Sequence, residues 1–409
     1  MSKTREKLYY GWVVVGVAFL VMFVNYGVRG TQTVVIKSIA DELNVGRGAA
    51  SLPFAISVLI YALLAPLSGR LVDRYGPRWV MVGGALISGF GLWMCSRANS
   101  LVALMIFFGI VFGIGGNGIG LVPSNTSVAM WFRRRLGLAL GIATMGIGFG
   151  TVILPRLTKL IESQWGWRPS FQFLGYVAWA LMIPAFFLLK GKKALSEGED
   201  GEAAPGSPAG EPSPPGGLTL REALRTSSFW LLFVGFVLIV IALYGEMLHQ
   251  VPYLTDRGID EGWAVWTVTI MGATSIIGRF FFGWLSDRTH EKKQAFYPAC
   301  AVLLLSLVIL IFVRQVWSSI LFAAVFGFGF AAYGPVIPAV CAEVFGKANM
   351  GAIFGAVTTG GALGGAAGPY ITGFIYDITG TYFWAWVLAL VCVAVSTILF
   401  ARVRILWKE

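Results

Sequence analysis

Arg279 is the residue in this sequence with the most chemistry to offer, because it stands inside an apolar run long enough to cross a membrane. A guanidinium presents a planar fork of donors that fits a carboxylate through two parallel hydrogen bonds. Placing an arginine at the centre of a membrane helix costs about 2.5 to 3.5 kcal/mol on insertion scales. Arg279 precedes Asp287 by eight residues, or about 12 Å of helix at ~1.5 Å per residue, which is close to the bilayer midplane. The ligand this predicts is an organic anion; the alternative is an internal salt bridge with Glu246 or a bond to a carbonyl. Other polar side chains in apolar segments are Tyr26, Asn117, His249, Ser275 and Tyr333, each a candidate for hydrogen-bonding the same anion or for joining helices. His249 has the side chain best placed to titrate near neutrality, and Glu246 stands three residues earlier on nearly the same helical face. One of the two is a candidate proton carrier, unless they satisfy each other.

These side chains must be positioned by membrane helices. Of the 409 residues, 57% are hydrophobic and 12% charged, and the mean hydropathy is +0.75, whereas soluble domains are about a quarter charged. A soluble enzyme is excluded on that balance. Twelve apolar runs of membrane length begin near Tyr9, Ser51, Val80, Leu101, Leu138, Pro169, Ser228, Gly262, Phe296, Trp317, Gly351 and Phe383. The expectation is an all-α membrane protein of twelve helices. The first run lacks a small-residue cleavage site and is expected to remain as the first helix. The formal charge of +11 is explained by orientation rather than by nucleic acid. Of the 31 basic residues, 21 fall on the segments sharing a side with the amino terminus and 8 on the opposite loops, so both termini are expected in the cytoplasm. From about Gly191 the chain turns to Gly, Pro, Ser and acid, a composition that cannot bury a core. The expected organisation is a six-helix bundle over 1–190, a flexible cytoplasmic linker over 191–226 and a second six-helix bundle over 227–409. Cys95, Cys300, Cys341 and Cys392 are solitary and the two histidines lie far apart, so no metal or cofactor is expected.

An internal repeat defines the halves. Offsetting the chain by 214 residues aligns Val111–Gly115 with Val325–Gly329, pairs Gly137 with Gly351, Gly141 with Gly355, Pro155 with Pro369, and Gly69, Asp73 and Arg74 with Gly283, Asp287 and Arg288. Parallel six-helix repeats are the layout of two-halved transporters that bind substrate between the halves near the midplane. The same offset pairs Arg279 with Ala65, Asn117 with Ala331 and Tyr333 with Ile119, so the halves differ where the candidate site lies. Two motif matches carry nothing: Gly113, Gly115 and Gly118 mimic a nucleotide loop without a preceding strand, and Asn125-Thr-Ser mimics a glycosylation acceptor at the cytoplasmic end of the fourth helix.

The stretch GRLVDRYGPR from Gly69 to Arg78, echoed by GWLSDR from Gly283 to Arg288, resembles the cytoplasmic loop signature of the major facilitator superfamily. The resemblance implies a gate at this face, with Asp73, Arg74, Arg78, Asp287 and Arg288 locking and releasing the halves. Within that superfamily the first helix, opened by Gly11-Trp12 and carrying Tyr26, and IIGRFFFGWLSDR in helix eight resemble the monocarboxylate transporters and the bacterial oxalate and formate exchangers. The resemblance makes Arg279 the substrate arginine and favours Tyr26 as a site residue. Two departures concern the coupling ion: the family's helix-one lysine falls on Gly30, beside Arg29, and its helix-eight aspartate falls on Ser275. Arg29 lies about 28 Å along helix one at ~1.5 Å per residue and is expected to snorkel to the outer interface. No Lys or Arg occurs from Gly351 to Tyr370, where oxalate exchangers carry a lysine, so one cation and hence one carboxylate are expected. The resulting expectation is a non-enzymatic transporter of the cell membrane, functional as a monomer. It carries a lactate- or pyruvate-like monocarboxylate, with a proton, by alternating access. The alternatives are an oxalate/formate-type exchanger and a nontransporting membrane sensor of organic acids.

Overall fold

The computed structural model describes residues 10–132, 135–189 and 216–406. Among them twelve helices are long and apolar enough to cross a membrane: α1 Gly11–Gly30, α2 Ala49–Tyr75, α3 Pro77–Cys95, α4 Leu101–Trp131, α5 Leu136–Trp165, α6 Trp167–Leu188, α7 Ser227–Asp256, α8 Glu261–Arg288, α9 Lys292–Ile311, α10 Val316–Phe345, α11 Met350–Thr379 and α12 Phe383–Ala401. Successive spans alternate in direction, so the starts of α1 and α7 and the ends of α2, α8 and α12 share one face, called basal here; the opposite face is apical.

The packing follows the sequence repeat. Helix α1 lies along α5 as α7 lies along α11, and the two sets meet through α2 against α11 and α8 against α5. One apolar cluster gathers Phe108, Trp167 and Phe171 from the first six helices. Another is centred on the last six, around Phe296, Phe322 and Trp386. Two devices shape the elements around the centre. In α4 the helix breaks between Gly118 and Leu121, with Gly120 extended at φ −98°, ψ −167°. Pro123 accounts for the break: in a continuous helix its ring meets the carbonyl of Ile119, while in the first turn of a new helix it is tolerated. On the apical side the helix Gln32–Leu43 brings Glu42 to the Trp167 indole N–H at 2.6 Å and to Arg168. The Arg168 guanidinium holds the Glu42 carboxyl below the usual carboxylate range.

The expected flexible linker is corrected at its end. Residues 191–215 lie outside the described residues, but Gly216 to Thr226 are built into the second bundle. Leu218 N–H donates to the Phe345 carbonyl at 2.8 Å and Lys347 N–H to Gly216 at 3.2 Å. A Thr219–Glu222 capping box then starts the short helix Leu220–Ala223. The polar composition hid this, because capping residues and loop residues are the same types.

The seam between the sets is made of glycine. A Cβ on Gly69 would collide with the Gly351 carbonyl, and a Cβ on Gly137 or Gly283 with the other's helix. Under the 214-residue offset these are the same contact made twice. The backbones cross so closely that no side chain fits, which is how small residues join helices in membranes. Gly283→Val is therefore expected to cost about 1–3 kcal/mol through overpacking and to lower the melting midpoint of the detergent-solubilised protein by several degrees. Gly272→Val, whose Cβ would have only Val152 within reach at 3.8 Å, is the control; equal midpoints for the two would contradict the seam.

Candidate functional site

The basal end is closed by two carboxylates. Asp287, in the last turn of α8, accepts from the backbone N–H groups of Gly137 and Leu138 at 2.8 Å each, at the start of α5. Asp73, in the last turn of α2, accepts from those of Gly351 and Ala352 at 3.1 and 2.9 Å, at the start of α11. Helix starts leave N–H groups without intrahelical partners and carry partial positive charge, so each acid caps a helix of the opposite bundle. Lys292 adds an ion pair to Asp287 at 2.8 Å, and the Lys347 ammonium crosses to the Phe132 carbonyl at 3.0 Å. The neighbouring arginines lie over aromatic rings of their own bundles: Arg74 over Tyr75, Arg78 over Phe186 and Arg288 over Trp284. Of the five gate candidates, the two acids bridge the bundles by these bonds.

Above this closure Arg279 is 3% exposed. Its Nη1 donates to Ser275 Oγ, one turn up the same helix, at 2.6 Å, and its Nε has no partner. Among the described residues it forms no ion pair, with Glu246 or any other acid. Its guanidinium runs past Gly148 of α5, where a Cβ would stand 3.4 Å from Nη1. Its electrostatic neighbours are Tyr333, Tyr26 and Tyr244. Tyr26 in turn interacts with Tyr61, and Tyr244 with Tyr333, side chain to side chain.

Arg29 corrects the sequence expectation. It does not reach for the apical surface but lies over the Tyr61 ring at 4.5 Å and the Phe112 ring at 5.6 Å. Its Nη2 is buried without a partner, 3.4 Å from where a Cβ on Gly116 would stand. The reason is directional: helical side chains lean toward the helix start, so an arginine near the end of α1 points down into the protein. Its electrostatic neighbours are Tyr61, Tyr26 and Tyr244, two of which it shares with Arg279. One cluster therefore holds a guanidinium from each bundle and the phenols of Tyr26, Tyr61, Tyr244 and Tyr333.

Tyr61 organises the first bundle's share. Its hydroxyl accepts from Leu121 N–H at 3.0 Å, at the break in α4, and its carbonyl accepts from Asn117 Nδ2. The Oδ1 of Asn117 and both amide atoms of Asn25 are buried without partners. Sequence reading passed over Asn25, Tyr61 and Tyr244; for Tyr61 the available signal was a phenol facing the Gly-rich, Pro-broken stretch of α4.

The proton-carrying candidates separate. His249 bridges the Pro369 carbonyl, 3.0 Å from Nε2, and the Tyr382 hydroxyl, 3.2 Å from Nδ1. A carbonyl only accepts, so Nε2 donates to Pro369, and Nδ1 shares a hydrogen bond with the Tyr382 hydroxyl. Glu246, 1% exposed, has Oε1 without a partner and is not satisfied by His249. On α7 it stands two residues from Tyr244, hence on the far side of the helix from the tyrosine cluster.

A family model of the Major Facilitator Superfamily matches residues 18–369 and 251–407. The chain belongs to that superfamily; it is a multi-pass membrane transporter and not an enzyme. Within the superfamily it is related to the monocarboxylate transporters. It is 28% identical to monocarboxylate transporter 12 of Mus musculus, over 97% of this chain and 86% of that one. It is 24% identical to monocarboxylate transporter 2 of Homo sapiens, over 91% and 81%. Among solved structures the fold matches the E. coli fucose:proton symporter with a TM-score of 0.75 at 15% identity, covering 97% of this chain and 100% of that one. It matches the human organic anion transporter TETRAN with 0.72 at 17%, covering 95% and 99%.

Both His249 bonds lie inside the second bundle. His249→Ala is expected to cost about 1 kcal/mol per lost hydrogen bond and to lower the melting midpoint by about 2–4 °C per kcal/mol. An unchanged midpoint with lost transport would instead put His249 in the substrate path.

Proposed function

We propose that this protein carries a small monocarboxylate, of the lactate or pyruvate kind, across the membrane by alternating access, together with a proton. The observation that carries the reading is the state of Arg279: a buried guanidinium at the bundle interface with no ion pair among the described residues and with its Nε unpartnered. An uncompensated buried charge is expensive, and a carboxylate entering from the apical side compensates it through two parallel bonds. Tyr26, Tyr333, Ser275 and Asn117 then orient the substrate's remaining oxygens. The distribution of basic residues supports a cytoplasmic basal face and cytoplasmic termini, and the names of the monocarboxylate transporter relatives support the substrate class. For the proton, Glu246 is the better supported of the two candidates, since it retains an unpartnered oxygen whereas both ring nitrogens of His249 are engaged. The bundles, 1–190 and 227–409, rock about the site, and a single chain supplies every residue named.

A second reading is favoured by Arg29, which faces the same tyrosines as Arg279. Two guanidinium groups suit an anion with two carboxylates, moved by exchange as in oxalate/formate-type carriers.

L-lactate uptake into proteoliposomes under an inward-acid gradient tests both. Arg279→Ala is expected to reduce uptake at least ~30-fold, matching the ~2–5 kcal/mol lost when one member of a buried charge pair is truncated. Glu246→Gln is expected to retain lactate counterflow and lose the response to the pH gradient. Uptake that requires preloaded oxalate favours the second reading, and equal uptake by wild type and Arg279→Ala rejects the site.

A further inference from the structure

The polar run Ser124-Asn125-Thr126-Ser127, in the basal part of α4, has no role in the site described above. All four residues are fully buried. The Ser127 hydroxyl donates to the Pro123 carbonyl at 2.6 Å, but Ser124 Oγ, Thr126 Oγ1 and both amide atoms of Asn125 have no partner. Unpartnered polar atoms at this density within one helical turn are costly and uncommon.

They lie where the two bundles meet. The segment Leu121–Trp131 packs against α10 and α11 of the opposite bundle as well as against α1, α2 and α5. Leu121 and Val122 share an apolar cluster with Val336, Ile337 and Val340 of α10. Val128 and Ala129 share another with Ala339, Ala342 and Met350. At about 3.6 residues per turn, Asn125 is one turn from Leu121 and from Ala129, and Thr126 one turn from Val122 and Ala129, so both lie on this seam between the bundles. The 214-residue offset pairs Ser124, Asn125 and Thr126 with Pro338, Ala339 and Val340. One wall of the seam is polar and its counterpart apolar. Asn125 follows Asn117 by eight residues, beyond the break at Gly120 and toward the basal face.

We propose that Asn125 and Thr126 line the basal half of the substrate path, a polar subsite covered while Asp73 and Asp287 hold the bundles together. When the path opens it receives the carboxylate and its waters. The amide N–H groups and the Thr126 hydroxyl donate to a carboxylate without adding charge, so the subsite holds the anion more weakly than the arginines do and favours its release. The ligand class rests on the carboxylate reading given above; the path itself does not.

The test is Asn125→Cys in a Cys341→Ala background, treated from the basal side with a membrane-impermeant methanethiosulfonate. Cys95, Cys300 and Cys392 are buried, and the background protein alone is the control. Modification is expected, at least ~5-fold faster when Asp73→Asn and Asp287→Asn weaken the closure, and slowed by saturating L-lactate. Asn125→Leu, which removes the polar atoms without adding a thiol, is expected to cut the maximal rate of L-lactate uptake at least ~10-fold with the half-saturating apical concentration changed by less than ~2-fold. Failure of the reagent to reach the thiol from the basal side, with or without the two acid substitutions, overturns the path. A thiol that reacts indifferently to L-lactate, in a protein that takes up L-lactate, overturns the subsite, as does wild-type uptake by Asn125→Leu. If the protein moves no L-lactate at all, the transport reading fails, and basal modification still decides the path because the reagent needs no substrate.

Discussion

The structure depends on a carboxylate set at the start of a helix it does not belong to, made twice. Asp73 on the α11 start and Asp287 on the α5 start each satisfy two backbone N–H groups that a helix start leaves open. The glycines one turn away, Gly69 and Gly283, let the backbones come close enough for the acids to reach. A carboxylate in such a position contributes about 0.3–1 kcal/mol, up to about 2 when partly buried. Two of them supply a few kcal/mol, short of the ~5.5 kcal/mol needed to move a two-state equilibrium from 1:99 to 99:1. Under the alternating-access reading proposed above, such a closure biases the protein toward one state without trapping it, in the range where a substrate's differential binding reverses the bias.

Above the closure the two bundles contribute unlike groups. The second supplies Arg279 and the hydrogen-bonding pair Tyr244 and Tyr333; the first supplies Arg29, Tyr26 and Tyr61. Aromatic faces let a guanidinium remain charged away from water, and glycines at 116 and 148 give each guanidinium room to pass. Two guanidinium groups thus lie where no acid of the described residues answers them, which is the observation behind the proposed anion site. Glu246 stands on the other side of α7 from the tyrosine cluster, and His249 is bonded within the second bundle.

The spans, their count, the repeat and its paired acids Asp73 and Asp287 were legible in the sequence because they depend on run length, composition and spacing along one chain. Arg279 was legible for a related reason: its twin position is Ala65, so its cost has no structural duplicate. The end of the linker was misread because Thr219 and Glu222 are as much capping residues as loop residues. Arg29 was misread because distance along a helix says how deep a Cα lies, while a long side chain projects its charge back toward the helix start. Asn125 was set aside because its triplet matched an irrelevant motif, and its unpartnered amide becomes visible only once α10 and α11 are packed against it.

By itself the sequence determined a twelve-span protein of the major facilitator kind, with a single-sided arginine in helix eight and an acid repeated at the ends of helices two and eight, since hydrophobic runs, charge and repeats are one-dimensional quantities. The tertiary structure alone decided which polar groups share a space. It brought Arg29 to the tyrosines of Arg279, left Glu246 Oε1 unpartnered beside a His249 engaged elsewhere, and set the two acids on backbone N–H groups of the opposite bundle, with Lys292 as a further partner of Asp287. Those outcomes depend on helix rotation and on which way each Cα–Cβ bond leans, and a shift of one residue turns a helical side chain by about 100°, beyond what spacing in the chain can fix.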